Sequence, residues 1–272
     1  MHFTQERIME RKLQAIEAAI FEDCRELKVW QTRQGFYASP GEYADIGPWE
    51  EISVGDRWVC GDSITRWFKR TVTIPEEFAG KHVVLDLEFG GEGLVKIDGK
   101  IQSALTSYIR ENEATRTRVE LPRTPKAGES FEIEVEAGLN YMEFARYRGQ
   151  GKKSIEYQFR RALLAVVDDR VEQYYFDIKT AFEAMRALRS PIEKIVDTNV
   201  NLAPQITRIL ESMTKDSYIY QKLLDAVLHS LTIVDVDYDR EALIKSIDRA
   251  SDLLKEKLSK IPHSAHALIK FV

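Results

Sequence analysis

The sequence predicts an α+β protein, mainly β and then α: an N-terminal helix, an antiparallel β-sandwich or jelly roll, then an all-helical segment. Three observations carry this. Apolar residues recur every three or four positions before residue 28, the period becomes two between about Val29 and Val167, and helical spacing returns to about Lys260. No stretch of 20 to 50 residues repeats, which excludes a solenoid.

From Thr4 to about Leu27, Met9, Leu13, Ile16, Ile20, Cys24 and Leu27 form the stripe of an amphipathic helix, so residues 1–28 are assigned to it and Cys24 to its buried face. In HVVLDLEF, Val83, Leu85, Leu87 and Phe89 alternate with Asp86 and Glu88. In FEIEVEA, Phe131, Ile133, Val135 and Ala137 alternate with three glutamates. Both read as half-buried strands. Asp98-Gly99 lies between apolar flanks and predicts a two-residue primed turn closing a hairpin. QFRRALLAVV, residues 158–167, reads as a last strand after the loop around YRGQGKK, and 29–167 is one β domain.

Residues 168–262 follow as a helical domain. Asp169 and Glu172 fit a capping box for a helix reaching Arg189, with Ser190-Pro191 as a stop and restart. A further helix follows Asp216. Asp239 is a candidate N-cap for the last, in which Leu243, Ile247, Ala250, Leu254 and Leu258 form the apolar stripe. Pro262 marks the exit, and ALIKFV at 267–272 has the apolar character of a strand buried on both faces.

Composition narrows the function classes. The 272 residues carry a net charge of -5 with both signs interspersed, so there is no basic stripe for nucleic acid. The longest apolar run, ALLAVV, is far shorter than the ~20 residues that span a bilayer, so no membrane partner is expected. Two cysteines, Cys24 and Cys60, make no disulfide framework, and Met1 is followed by no leader-like run; both point to the cytoplasm.

The candidate metal and phosphate motifs are incomplete. Asp235, Asp237 and Asp239 imitate a calcium loop, but Arg240 and Ser246 stand where glycine and glutamate are required. His263 and His266 lack an accompanying general base, and GGEG at 90–93 lacks a phosphate-loop lysine and reads as a flexible connection. Trp30, Trp49, Trp58 and Trp67 cluster in the first half of the β region. Each reads as core, with the stacking platform of a sugar site as the alternative. Trp67 in RWFKRTVTI belongs to a central strand. Trp58 and Trp49 are the candidate sugar contacts.

Residues 52–100 carry a resemblance. Val54–Trp58 (VGDRW), Trp67–Pro75 (WFKRTVTIP), Gly80–Leu85 (GKHVVL) and Glu92–Lys100 (EGLVKIDGK) occur in the order found in the N-terminal β domain of cytosolic and bacterial α-mannosidases of glycoside hydrolase family 38. The resemblance extends more faintly from the leading helix through the helical region. VCGD at 59–62 departs from it where relatives have a Gly-rich turn ending in Pro-Asp.

That resemblance implies a galactose-binding-like jelly roll at 29–167 and a parent enzyme that cleaves α-mannosides with retention. Such an enzyme uses an Asp nucleophile, an Asp acid/base and a zinc ion held by His and Asp, all in a catalytic α/β barrel entered through a Gly-His-x-His-Ile-Asp strand. No His-x-His-x-Asp sequence occurs here, and none of His2, His82, His229, His263 or His266 maps onto a ligand. No catalytic, cofactor-binding or metal residue is therefore assigned, and zinc is expected in the parent's catalytic domain. Residues 263–272 are expected to begin that barrel. The implied partners are the chain's own barrel, a homo-oligomer and, through the parent, mannose-containing glycans. The alternative is a free-standing carbohydrate-binding or protein-interaction module.

Overall fold

The computed structural model describes residues 2–61, 63–106, 115–122, 124–140, 145, 151, 154–198, 206, 218–236 and 239–261, with side chains left aside at 2–4 and 189–198. Two compact units emerge, Phe21–Val167 and the helical unit of Met1–Ile20 with Asp168–Val272.

Within the first unit the described strands form two antiparallel sheets. The smaller runs β1 (Phe21–Glu26), β13 (Arg161–Val167), β7 (Val83–Glu88) and β10 (Arg118–Glu120). The larger runs β12 (Ser154–Gln158), β5 (Arg57–Gly61), β6 (Ile64–Thr73), β11 (Ser130–Gly138), β8 (Glu92–Ile97) and β9 (Lys100–Thr106). On β6 also lies β2 (Val29–Ser39), which carries β3 (Glu42–Ala44) and β4 (Glu50–Ser53).

Period-two patterning explains the packing. Phe131, Ile133, Val135 and Ala137 of β11 are buried while Glu132, Glu134 and Glu136 face outward. In register, Phe68 lies beside Val135 and Val135 beside Val95, a row aimed at the core. Trp30, Trp58, Phe68, Phe89 and Phe159 fill its centre, with the Phe89 and Phe159 rings stacked at 4.4 Å. Trp30 Nε1 donates to Leu27 O and Trp58 Nε1 to Phe89 O, each at 2.7 Å, so neither buried indole leaves an unmet donor. At the β8–β9 hairpin Asp98 and Gly99 take φ of 50° and 75°, the primed turn that their sequence predicts.

Several expectations need correction. The first helix, α1 (His2–Ala18), stops nine residues short of Leu27. Residues 21–26 instead hydrogen-bond along β13 as β1, and Cys24 is exposed there. The helix-like spacing at Ile20, Cys24 and Leu27 is overridden because β13 offers unpaired backbone groups that a helix would leave unmet. GGEG is a tight approach, not slack: a Cβ on Gly91 would lie 2.3 Å from Gly138 O, and one on Gly90 2.7 Å from Tyr157 Cβ.

The helical unit contains α1, α2 (Asp169–Thr198), α3 (Tyr218–Ile233) and α4 (Arg240–Ser259). The cap of α2 is Asp168, one residue before the expected one: its Oδ1 accepts from the N–H groups of Arg170 (3.1 Å) and Val171 (3.4 Å). Arg240 binds Asp168 Oδ2 at 3.0 Å and Ala19 O at 3.1 Å. The helix then runs unbroken through Ser190-Pro191. A proline there removes one backbone bond, which flanking turns on both sides evidently outweigh. Asp239 caps α4 through Ala242 N, and Leu243, Ile247, Ala250 and Leu254 are buried. Ser230 Oγ donates to Ala250 O, so the Tyr174 hydroxyl must be the donor to Ser230; the chain of bonds ties three helices together. Lys12 Nζ closes α3 by donating to Leu231 O and Val234 O. Asp237, Pro262, His263, His266 and ALIKFV lie outside the described residues.

Candidate functional site

The outward face of the larger sheet holds a cluster of aromatic and charged residues able to recognise something. Its basis is register. Arg33 of β2 lies opposite Trp67 of β6, and Trp67 opposite Glu136 of β11. Trp49 enters the same row from the residue preceding β4, which pairs with β2 from Thr32 back to Val29.

The segment after β3 completes the row. Asp45 takes φ 48°, a left-handed corner that aspartate tolerates better than most residues, and turns the chain back across β2. Gly47 N then donates to Gln34 O at 2.8 Å. This crossing lays Ile46 against Gly35, where a Cβ would lie 3.3 Å from Ile46 Cγ1 and 2.8 Å from Trp67 Cζ3. The bare glycine is what gives the Trp67 ring its place.

Around that ring the contacts are aromatic and charged. The Arg33 guanidinium stands 4.4 Å from the Trp49 ring centroid and 5.4 Å from that of Trp67, a cation held by two indoles. Tyr43 meets Trp67 edge-on at 4.7 Å and donates its hydroxyl proton to Glu136 Oε1. Burial first, then this bond and the charge of Glu136, push the Tyr43 phenol up to about 12. Lys96 Nζ lies 3.5 Å from Glu134 and 3.6 Å from Glu136, so these acids are answered by a base.

Arg33 is not so answered. It reaches no carboxylate among the described residues, and its Nε is buried without an acceptor. Asp45 and Glu51, exposed at the rim of the same surface, form no ion pair among the described residues.

Of the expected sugar contacts, Trp49 is half-buried in this row, whereas Trp58 is 1% exposed with its N–H spent on Phe89 O. Trp58 therefore presents no face for stacking; it is core because its position on β5 points between the sheets. Trp67 is buried as the sequence requires, but on the outer face. Arg33, Tyr43 and Glu136 were missed, since only register brings them together. Beside Gly90 and Gly91 a cleft lined by Leu87, Phe89, Leu105 and Val135 encloses about 10 Å³, room for about one water and too little for a sugar ring. The core thiol of Cys60 is pushed up to about 12 by burial, which makes it a poor nucleophile.

A family model described as the jelly roll domain of α-mannosidase matches residues 23–165, just over half of the 272. The chain belongs to that family. The matched span covers both sheets and the Arg33–Trp67 row, and it agrees with the N-terminal region of glycoside hydrolase family 38. No curated protein matches the α-mannosidase jelly roll chain. Among solved structures, the β-glucuronidase of Ruminococcus gnavus is 12% identical with TM-score 0.35, over 54% of this chain and 29% of its own. That of Faecalibacterium prausnitzii is 13% identical with TM-score 0.33, over 53% and 31%. The chain thus spans less than a third of these enzymes, and a likeness at such TM-scores decides neither fold nor activity.

Proposed function

We propose that this chain is the N-terminal, non-catalytic portion of a zinc-dependent, retaining α-mannosidase of the cytoplasm, and that its sandwich packs on the catalytic barrel and supports it. The family match over 23–165 carries this reading. Two further features support it. Both cysteines are free, as a reducing compartment keeps them. The residue types on the outer face of the larger sheet suit recognition better than covalent chemistry: an arginine set against two indole rings binds by charge and ring contact.

Zinc, the nucleophile and the acid/base belong, in this proposal, to a barrel encoded after Val272, entered by a Gly-His-x-His-hydrophobic-Asp sequence. The test compares the 272-residue chain with the same chain extended through the downstream reading frame. Hydrolysis of an aryl α-mannoside and one equivalent of zinc are expected only in the extended protein. Turnover by residues 1–272 alone, or a stop codon with no barrel downstream, overturns the proposal.

Half-exposed Trp49 and exposed Tyr37 favour one other reading, a carbohydrate-binding module. Calorimetric titration of the 272-residue chain with mannosides separates the two, because a binding module holds sugar without the barrel.

A further inference from the structure

The chain leaves the helical unit after Ile20 and re-enters it at Asp168. Each unit closes that gap by bonds of its own. In the sheet unit Phe21 and Val167, its first and last residues, are register partners on β1 and β13. In the helical unit Asp168 N donates to Ile20 O at 2.9 Å. The sheet unit is therefore an insert whose two ends meet, and α1 belongs with helices that come much later in the chain.

More than an apolar stripe holds α1 there. Met9, Leu13, Ile16 and Ile20 are buried, Lys12 Nζ donates to Leu231 O at 2.8 Å, and Glu17 Oε1 accepts from the Tyr175 hydroxyl at 2.6 Å. Its last turn, however, carries no base to meet the final carbonyls. Arg240 supplies one from the far end of the chain. The guanidinium donates through Nη1 to Ala19 O at 3.1 Å and through Nη2 to Asp168 Oδ2 at 3.0 Å, while Asp168 Oδ1 caps α2. The Asp168 side chain is 10% exposed, which shields the pair from water. Position sets this residue apart. A cation in the first turn of a helix opposes the helix dipole, so Arg240 weakens its own α4 and strengthens the ends of α1 and α2.

We propose that α1 is a strap and Arg240 its clasp: by joining the end of α1 to the start of α2, the guanidinium closes the helical unit across the inserted sheets, and its loss releases α1. The sheet unit is indifferent to that release, because β1 and β13 hold its own ends together. The proposal uses neither the family match nor the α-mannosidase reading.

Hydrogen exchange on the 272-residue chain, read segment by segment by mass spectrometry, tests it with three variants. Arg240→Met keeps the stem and removes both bonds. Amides of α1 should then exchange at least about tenfold faster, since a bond to a charged group contributes more than an ordinary one, while those of β6 and β11 keep their rates. Arg240→Lys, whose ammonium lacks the fork, should fall between wild type and Arg240→Met. Asp168→Asn retains an oxygen for the α2 cap but gives up the charge that Arg240 binds, so α1 should loosen while the first turn of α2 stays protected. That variant carries the test if Arg240→Met does not fold. Unchanged α1 exchange in either Arg240→Met or Asp168→Asn overturns the proposal. So does loosening that reaches β6 and β11 as much as α1, or that is confined to α4.

Discussion

Trp67 and Phe68 are neighbours on β6, both nearly inaccessible at 4% and 0%, and they are buried by different means. Phe68 faces the other sheet and packs against Trp58, Phe89 and Phe159. Trp67 faces away and is covered by Tyr43, Ile46 and the Arg33 guanidinium, groups delivered by a short hairpin and one left-handed residue. One burial rests on two sheets closed over it, the other on a single returning segment. Inaccessibility alone therefore does not tell a core from a covered surface; what does the covering decides how costly its loss is.

The contrast predicts unequal costs. Phe68→Ala should destabilise the sheet unit most, by about 3 to 5 kcal/mol, because the three aromatic rings packed on it cannot collapse into the space. Trp67→Ala should cost less despite the larger ring, about 2 kcal/mol, since Tyr43 and Ile46 sit on a segment free to settle inward and water can enter. Urea unfolding followed by tryptophan fluorescence measures both. Equal costs would show that the outer face is a second core.

Gly35→Ala probes the same covering from beneath. The added methyl meets the Trp67 ring at 2.8 Å, so the ring and Ile46 must lift. A loss of about 1 kcal/mol with a changed near-ultraviolet dichroism is expected, the low end of overpacking because the lid is loose. Trp49→Ala should cost still less, within about 1 kcal/mol, since it removes one exposed side of a cation–π pair. A larger loss there would place Trp49 in the structural frame.

Where the sequence was legible, one period governed both neighbours and environment. The β11 alternation, the Asp98-Gly99 turn and the Asp239 cap are each local patterns with a local cause, and the structure keeps them. Cys24 failed because pairing with β13 is a partner no local pattern reveals. The site failed similarly. Trp49 was visible as an aromatic residue, but Arg33, Trp67 and Glu136 are more than thirty residues apart in sequence, and only the β2–β6–β11 register makes them one row. Asp45, the residue that folds the cover over, looks like any loop aspartate until its φ is known.

The smallest expected effect is electrostatic and sharpens the comparison from the outer side alone. Tyr43 is the hinge of the cover, touching Trp67 with its ring edge and Glu136 with its hydroxyl. Its folded pKa is raised to about 12 from 10, by burial foremost and then by Glu136. The sign follows from linkage: below pH 10 the phenol is neutral in both states and the contribution is complete. Between pH 10 and about 12 the unfolded chain has released the proton that the folded chain still holds, so each rise in pH favours unfolding, and the contribution is gone above the folded value. Tyr174 and Tyr175 of the helical unit are raised as well, so the wild-type slope mixes several phenols. Replacement isolates one. Tyr43→Phe keeps the ring against Trp67 and should flatten the fall of stability with pH across this window, while phenolate absorbance loses one late-titrating group. Parallel stability curves for the two proteins would mean that the Tyr43 hydroxyl is solvated and that the cover over Trp67 is held by ring contacts alone.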